Sequence, residues 1–233
     1  MLIGEIIQRI TSLYSKGAPS DDSRLAPRHV YNKMLTVRGK LIYQKANKNQ
    51  KISAWNYQTL PCIEMVVAQP SECPCLPPSG CQILKTKYKL PKPLTGLSTH
   101  LIKDVTSIDG TVIYSEIGWD GYKYKKGNKY TAHKPDYFIR DGYLYITHKS
   151  GPKIITLSGL FEDPYDASHY PSFCDEDCKD CQDCDDAQKK EFPLDGEMLD
   201  LLVEICVAEL VSMFGQINQD LTNNSKDDVQ EPQ

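Results

Sequence analysis

The sequence contains no apolar run approaching the roughly 20 residues that a membrane-spanning helix requires. Its first residues do not follow the pattern of a secretory leader, because Glu5 and Arg9 interrupt the apolar positions. These two absences lead to the expectation of a soluble chain, made in the cytosol, with no membrane partner. Short patterns that carry chemistry are missing as well. Gly118-x2-Gly121 has neither the strand-turn-helix context nor the lysine of a phosphate loop. There is no nucleophile elbow and no His-Glu-x-x-His. The five histidines, His29, His100, His133, His148 and His169, are scattered along the chain. The expectation is a protein that is not an enzyme and has no cofactor.

What is present is a chain of 233 residues, long enough to bury a substantial core, with 40% hydrophobic and 25% charged residues. Its net charge of -4 conceals a strong division. Residues 1–160 hold 23 Lys and Arg against 11 Asp and Glu, whereas residues 161–233 hold 4 against 20. A basic body joined to an acidic section repels copies of its own faces and attracts unlike ones, which favours head-to-tail contacts. A merely solvated acidic tail is the plainer reading of the same pattern.

Nine cysteines, an odd number, stand at 62, 73, 75, 81, 174, 178, 181, 184 and 206. Without an export signal the default is reduced thiols, with disulfides forming only in an oxidising medium. Cys174, Cys178, Cys181 and Cys184 have the residue type for a tetrahedral zinc or an iron-sulfur cluster. Their spacing, however, crowds four ligands onto one short arc, and the neighbouring Asp175, Glu176, Asp177, Asp180, Asp183, Asp185 and Asp186 oppose thiolate formation. The expectation is no metal there. Cys73, Cys75 and Cys81, among five nearby prolines and glycines, read as a rigid loop.

Periodicity predicts an amphipathic helix over residues 2–15, with Ile3, Ile6, Ile7, Ile10, Leu13 and Tyr14 on one stripe. Asp21, Asp22 and Ser23 offer cap oxygens for a second helix, which has Pro27 near its start and runs to about Asn47. Its apolar stripe is Val30, Met34, Val37 and Leu41. Its basic residues, with Lys48, Lys51, Tyr31 and Tyr43, suit either nucleic acid or an acidic protein surface. The acidic section of the chain argues for the protein surface, so Arg28, Arg38, Lys40 and Lys45 are expected at an interface.

Residues 55 to 162 read as strands. Asp141-Gly142 between two aromatic-rich runs predicts a hairpin with a type I′ turn. Tyr122 to Tyr130 reads as a surface excursion. Asp195 should cap a last helix from about Gly196 to Asn218, with Leu199, Leu202, Val203, Cys206, Leu210, Met213 and Ile217 as its apolar stripe. The expected division is helices at 1–52, a β-rich middle at 53–162, an acidic Cys-rich loop at 163–193, a helix at 194–219 packing on the first two, and a disordered acidic tail at 220–233. The fold class is α+β, with an N-terminal helical hairpin, a β-rich middle and a C-terminal helix.

Four stretches carry a resemblance: Ser23 to Tyr31, the Cys-Pro-Cys loop at 73–75, Tyr137 to Gly142, and Gly159 to Pro164. Together they resemble structural proteins of crAss-like phages that form rings below the portal. The order of elements is also similar to the tail tubular subunits of short-tailed phages. The resemblance spans roughly residues 1–220 and carries over no active site. It implies a virion protein at the head-tail junction, in a ring of about twelve copies. It also implies the portal and other tail ring proteins as partners, and DNA passing through the channel without specific binding. The competing reading is a zinc-binding regulatory or nucleic-acid module built on the cysteines.

Overall fold

The computed structural model describes residues 1–15, 17, 25–68, 83–96, 100–118, 121, 124, 129–130, 134–146, 151–174 and 187–214. Helix α1 (Ile3–Tyr14) buries Ile3, Ile6, Ile7 and Ile10, and the Glu5 carboxylate accepts from the Leu2 amide at its start. Helix α2 (Pro27–Asn47) begins one residue after Ala26, with proline at its first turn. Proline suits that position because its missing amide hydrogen has no helical partner to lose. Ala26 provides no side-chain cap, and the expected cap residues at 21–23 lie outside the described residues. Helix α2 buries Val30, Met34, Val37, Leu41 and Ile42, and Arg38 with them.

Seven strands follow among the described residues: β1 (Gln58–Val67), β2 (Leu84–Thr86), β3 (Ile102–Ser107), β4 (Ile113–Glu116), β5 (Asp136–Arg140), β6 (Tyr143–Ile146) and β7 (Ile154–Gly159). They close into a barrel in the order β1-β2-β6-β5-β4-β3-β7. All neighbours are antiparallel except β4 and β5, which run parallel. Closure leaves no strand edge to be covered. The β5–β6 hairpin turns through Asp141 and Gly142, both at positive φ (53° and 81°), as a type I′ turn demands. Inside the barrel lie Leu60, Ile63, Val105, Tyr114, Tyr137, Leu144, Ile146, Ile155 and Leu157.

The short helix α3 (Pro164–Ser168) follows β7 and is capped by the Asp163 side chain. Helix α4 (Gly196–Phe214) completes the fold and packs on α1 and α2. The Met198 amide donates to Asp195 Oδ1 at 3.0 Å, so Asp195 caps this helix. Met198, Leu202, Val203, Cys206 and Leu210 are buried, but Met213, expected on the same stripe, is 63% exposed. Ile217 and the tail expected at 220–233 lie outside the described residues.

Two large cores result, one among the three long helices and one inside the barrel, and a small third cluster of Ile83, Phe138 and Tyr145 lies on β5, β6 and the approach to β2. The two large cores meet at adjacent residues: Leu160 belongs to the helical core and Phe161 to the barrel core. Arg38 sits at this junction, fully buried. Its guanidinium donates to the Phe161 carbonyl at 2.6 Å, the Pro193 carbonyl at 3.3 Å and the Asn56 carbonyl at 3.5 Å. The ring of Phe192 lies 5.8 Å from its central carbon. Burial pulls the guanidinium down to about 10, partly offset by Tyr31 and Asp163, so it remains charged at neutral pH. Arg38 therefore joins the end of β7, the approach to β1 and the approach to α4.

Truncation of Arg38 strands those carbonyls in a dry site. Arg38→Ala is expected to cost about 3–5 kcal/mol of stability, the range found when one partner of a buried charged network is removed. Urea unfolding followed by circular dichroism measures this. A loss below about 1 kcal/mol would show that the junction holds without the guanidinium.

Candidate assembly interface

The four basic residues expected at an interface occupy different places. Arg28 is exposed in the first turn of α2 and has no ion pair among the described residues. Arg38 is not available to a partner at all, being buried within its own subunit. Lys40, 56% exposed, reaches Glu209 of α4 at 3.2 Å. Lys45 lies 3.9 Å from Asp195 at the start of α4. Lys33 also pairs with Glu209, whose carboxyl is held below its usual range by these two lysines. A helix with five basic and no acidic residues thus lies antiparallel to one with four acidic and no basic residues. The division of charge along the sequence is used first inside the subunit.

Helix α4 carries apolar residues outside its buried stripe that remain partly exposed among the described residues. Leu201 and Val211 are each 45% exposed, and Phe214 is 38% exposed. Elsewhere, Trp55 is 80% exposed on the short 3₁₀ turn Ala54–Asn56. It borders a cleft of about 610 Å³ lined also by Met1, Tyr57, Gln58 and the segment Glu191–Gly196. Trp55 combines a large apolar face with a polar edge, a residue type enriched at protein interfaces. Neither the α4 outer stripe nor Trp55 was picked out in the sequence, although Leu201, Ile205, Ala208 and Val211 fall at helical spacing.

Among the described residues the histidines form no catalytic grouping. His100 faces Glu116 at 3.1 Å, and His169 turns back on the Tyr165 carbonyl at the end of α3. His29 is exposed, while His133 and His148 lie outside the described residues.

The cysteines hold a correction. Cys174, expected as a reduced thiol that holds no metal, is bonded to Cys62 across 112 residues. Two features bring them together. The β1 strand carries a bulge between Leu60 and Ile63, with Cys62 at positive φ (52°). The segment after α3 lies against this bulge, where the Phe173 amide donates to the Cys62 carbonyl at 2.9 Å. A ligand set of Cys174, Cys178, Cys181 and Cys184 therefore loses its first member. The other three, and Cys73, Cys75 and Cys81, lie outside the described residues. Among the described residues no group of His, Cys, Asp and Glu could hold a metal. Cys206 is buried against α1 and α2, and burial pushes its thiol up to about 12.

Comparison with known proteins completes this picture. The family model described as phage tail ring protein 2 matches residues 5–229. The chain belongs to this family. Ring protein 2 of Bacteroides phage crAss001 is 27% identical over 227 residues, covering 90% of this chain and 91% of that protein. A crAss-like phage ring protein is a structural component of the tail, which agrees with the resemblance seen in the sequence. The α+β class, with helices at both ends of a β-rich middle, is the observed one. Among the described residues no helix is long and apolar enough to cross a membrane.

The Cys62–Cys174 bond closes a long loop, so oxidised chain should lose about 2–5 kcal/mol on Cys62→Ser. Under reductant, parent and variant should unfold at the same urea concentration. Equal midpoints in the oxidised state as well would show that the bond does not form.

Proposed function

We propose that this chain is a non-enzymatic virion subunit that assembles into a homo-oligomeric ring at the phage head-tail junction. In this reading the ring holds about twelve copies, attaches to the portal and to other tail ring proteins, and surrounds the channel through which DNA leaves. The match to the tail ring family over nearly the whole chain carries the proposal. The surface supports it, because among the described residues α4 leaves Leu201, Val211 and Phe214 partly exposed.

The basic residues of α2 divide their work in this reading. Lys40 and Lys45 hold α4 in place, and Arg28 is offered to a neighbour. DNA passage requires walls that do not grip phosphate. The basic helix therefore faces protein, and part of the acidic section borders the channel.

Negative-stain electron microscopy of the purified chain at low salt, alone and with portal rings, tests the reading. Rings with a central hole are expected in at least one of the two samples. A chain that stays monomeric and binds no portal ring in low salt would overturn it.

A further inference from the structure

We infer that neighbouring copies join by seating the tip of the β3–β4 hairpin of one copy in the Trp55 cleft of the next. The inference rests on the ring reading and names the two surfaces that would meet.

The hairpin tip is apolar, open and ordered. Ile108 is 57% exposed and Ile113 is 65% exposed. Val112 and Tyr114 take the barrel side, and Ile113 between them points the other way, as strand alternation requires. Side chains fasten the turn that carries these residues. The Ser107 hydroxyl donates to the Asp109 carboxylate, the Thr111 hydroxyl donates to it at 2.7 Å, and the Val112 amide donates to Ser107 Oγ at 3.0 Å. The Ser107 and Thr111 hydroxyls hold the Asp109 carboxyl below its usual range, so the tip carries one negative charge and no positive one. A tip already ordered loses little conformational freedom on docking.

The cleft answers both properties. Its volume of about 610 Å³ leaves room for two isoleucine side chains, and Trp55 and Met1 give it exposed apolar surface. Lysines border it. Lys48 and Lys51 lie between the end of α2 and the Trp55 turn, and Lys189 stands two residues before Glu191 of the lining. All three are exposed and have no ion pair among the described residues. Lys103 adds a fourth cation, 5.6 Å from the ring of Tyr57 in the lining. Glu191 and Glu197 are the open carboxylates nearby, since Asp195 is already held by the Met198 amide, Asn56 and Lys45. The border is therefore basic on balance, and it suits an apolar knob with an acidic tip.

The two surfaces lie at opposite ends of the barrel. Gly159, the last residue of β7, pairs with Gln58 of the cleft and with Ile102 at the start of β3. Ile155, near the first residue of β7, pairs with Ser107, where the hairpin tip begins. Unlike surfaces at opposite ends of one molecule give a heterologous contact, and such contacts close into rings when the rotation permits. Apolar insertion supplies the attraction, and charge fixes which surface meets which.

Two one-sided variants test the pairing. Trp55→Ala strips the cleft of its aromatic wall, and Ile108→Asp makes the hairpin tip polar. Both positions are exposed, so each variant should keep the parent's circular dichroism and unfolding midpoint. Alone, each should associate about tenfold or more weakly at low salt by sedimentation velocity, the loss expected when an interface anchor is removed. An equal mixture should stop at a one-to-one dimer, because one sound hairpin then meets one sound cleft and no further contact can form. Benzoylphenylalanine placed at position 108 of the full chain should photo-cross-link to the cleft segments of a second, isotope-labelled copy. Assembly of either variant at parental strength, a mixture without the dimer, or cross-links that reach only other segments would overturn the assignment while leaving the ring reading intact. A parent that never assembles, alone or on portal rings, would overturn both. If Trp55→Ala abolishes binding to DNA and leaves self-association untouched, the cleft is a nucleic-acid site and the assignment falls.

Discussion

A single buried guanidinium sets the relation between the two halves of this protein. Arg38 donates to carbonyls from three segments that are remote in sequence: Asn56 before β1, Phe161 after β7 and Pro193 before α4. Two of these carbonyls flank the barrel strands β1 and β7, and the third precedes α4 of the helical core. The charge is tolerated because these acceptors replace water and because Asp163 stands nearby. Asp163 is fixed in turn by the Tyr31 hydroxyl at 2.7 Å and by the Tyr165 amide at 2.8 Å. Burial and this hydrogen bond together raise the Tyr31 hydroxyl well above its ordinary range, so it stays a donor. The junction is polar where the cores on either side are apolar. It can therefore specify one orientation of barrel against helices, which apolar packing alone does loosely.

The second organising force is the separation of charge between α2 and α4. Lys33 and Lys40 share Glu209, and Lys45 approaches Asp195. These pairs lie at the edge of the helical core, where each contributes little by itself. Their collective effect is directional. They set α4 antiparallel to α2 and leave its remaining carboxylates facing outward, which gives the outer face its acidic character.

Much of this was legible in the sequence, for identifiable reasons. The Asp141-Gly142 hairpin was legible because both central residues tolerate positive φ. The three long helices were legible from the spacing of their isoleucines, leucines and valines. Arg38 was misplaced because residue type outweighed position. It stands four residues after Met34 and four before Ile42, squarely on the buried stripe. That spacing was the available signal. The closure of the barrel was not legible, because strands such as Leu84–Thr86 are too short to announce themselves. Nor was the Cys62–Cys174 pairing, since nine cysteines spread over the chain leave connectivity open. The outer stripe of α4 escaped notice because Glu197, Asp200 and Glu204 interrupt it, while the stripe from Leu199 to Ile217 drew the assignment of the apolar face.

The cysteine bond has a mechanical meaning. Strands β2 to β7 all lie between Cys62 and Cys174, so they sit inside a covalent loop. Tension applied between the two ends of the chain would pass from β1 to residue 174 through sulfur and would bypass those strands. The shielded length, 112 residues, corresponds to about 380 Å of extended chain that cannot be paid out under load. Of the named elements, α1, α2, the 3₁₀ turn Ala54–Asn56, the start of β1 and α4 would remain in series with a pulling force. In an assembled tail, the barrel of an oxidised subunit would deform as a block instead of unravelling strand by strand.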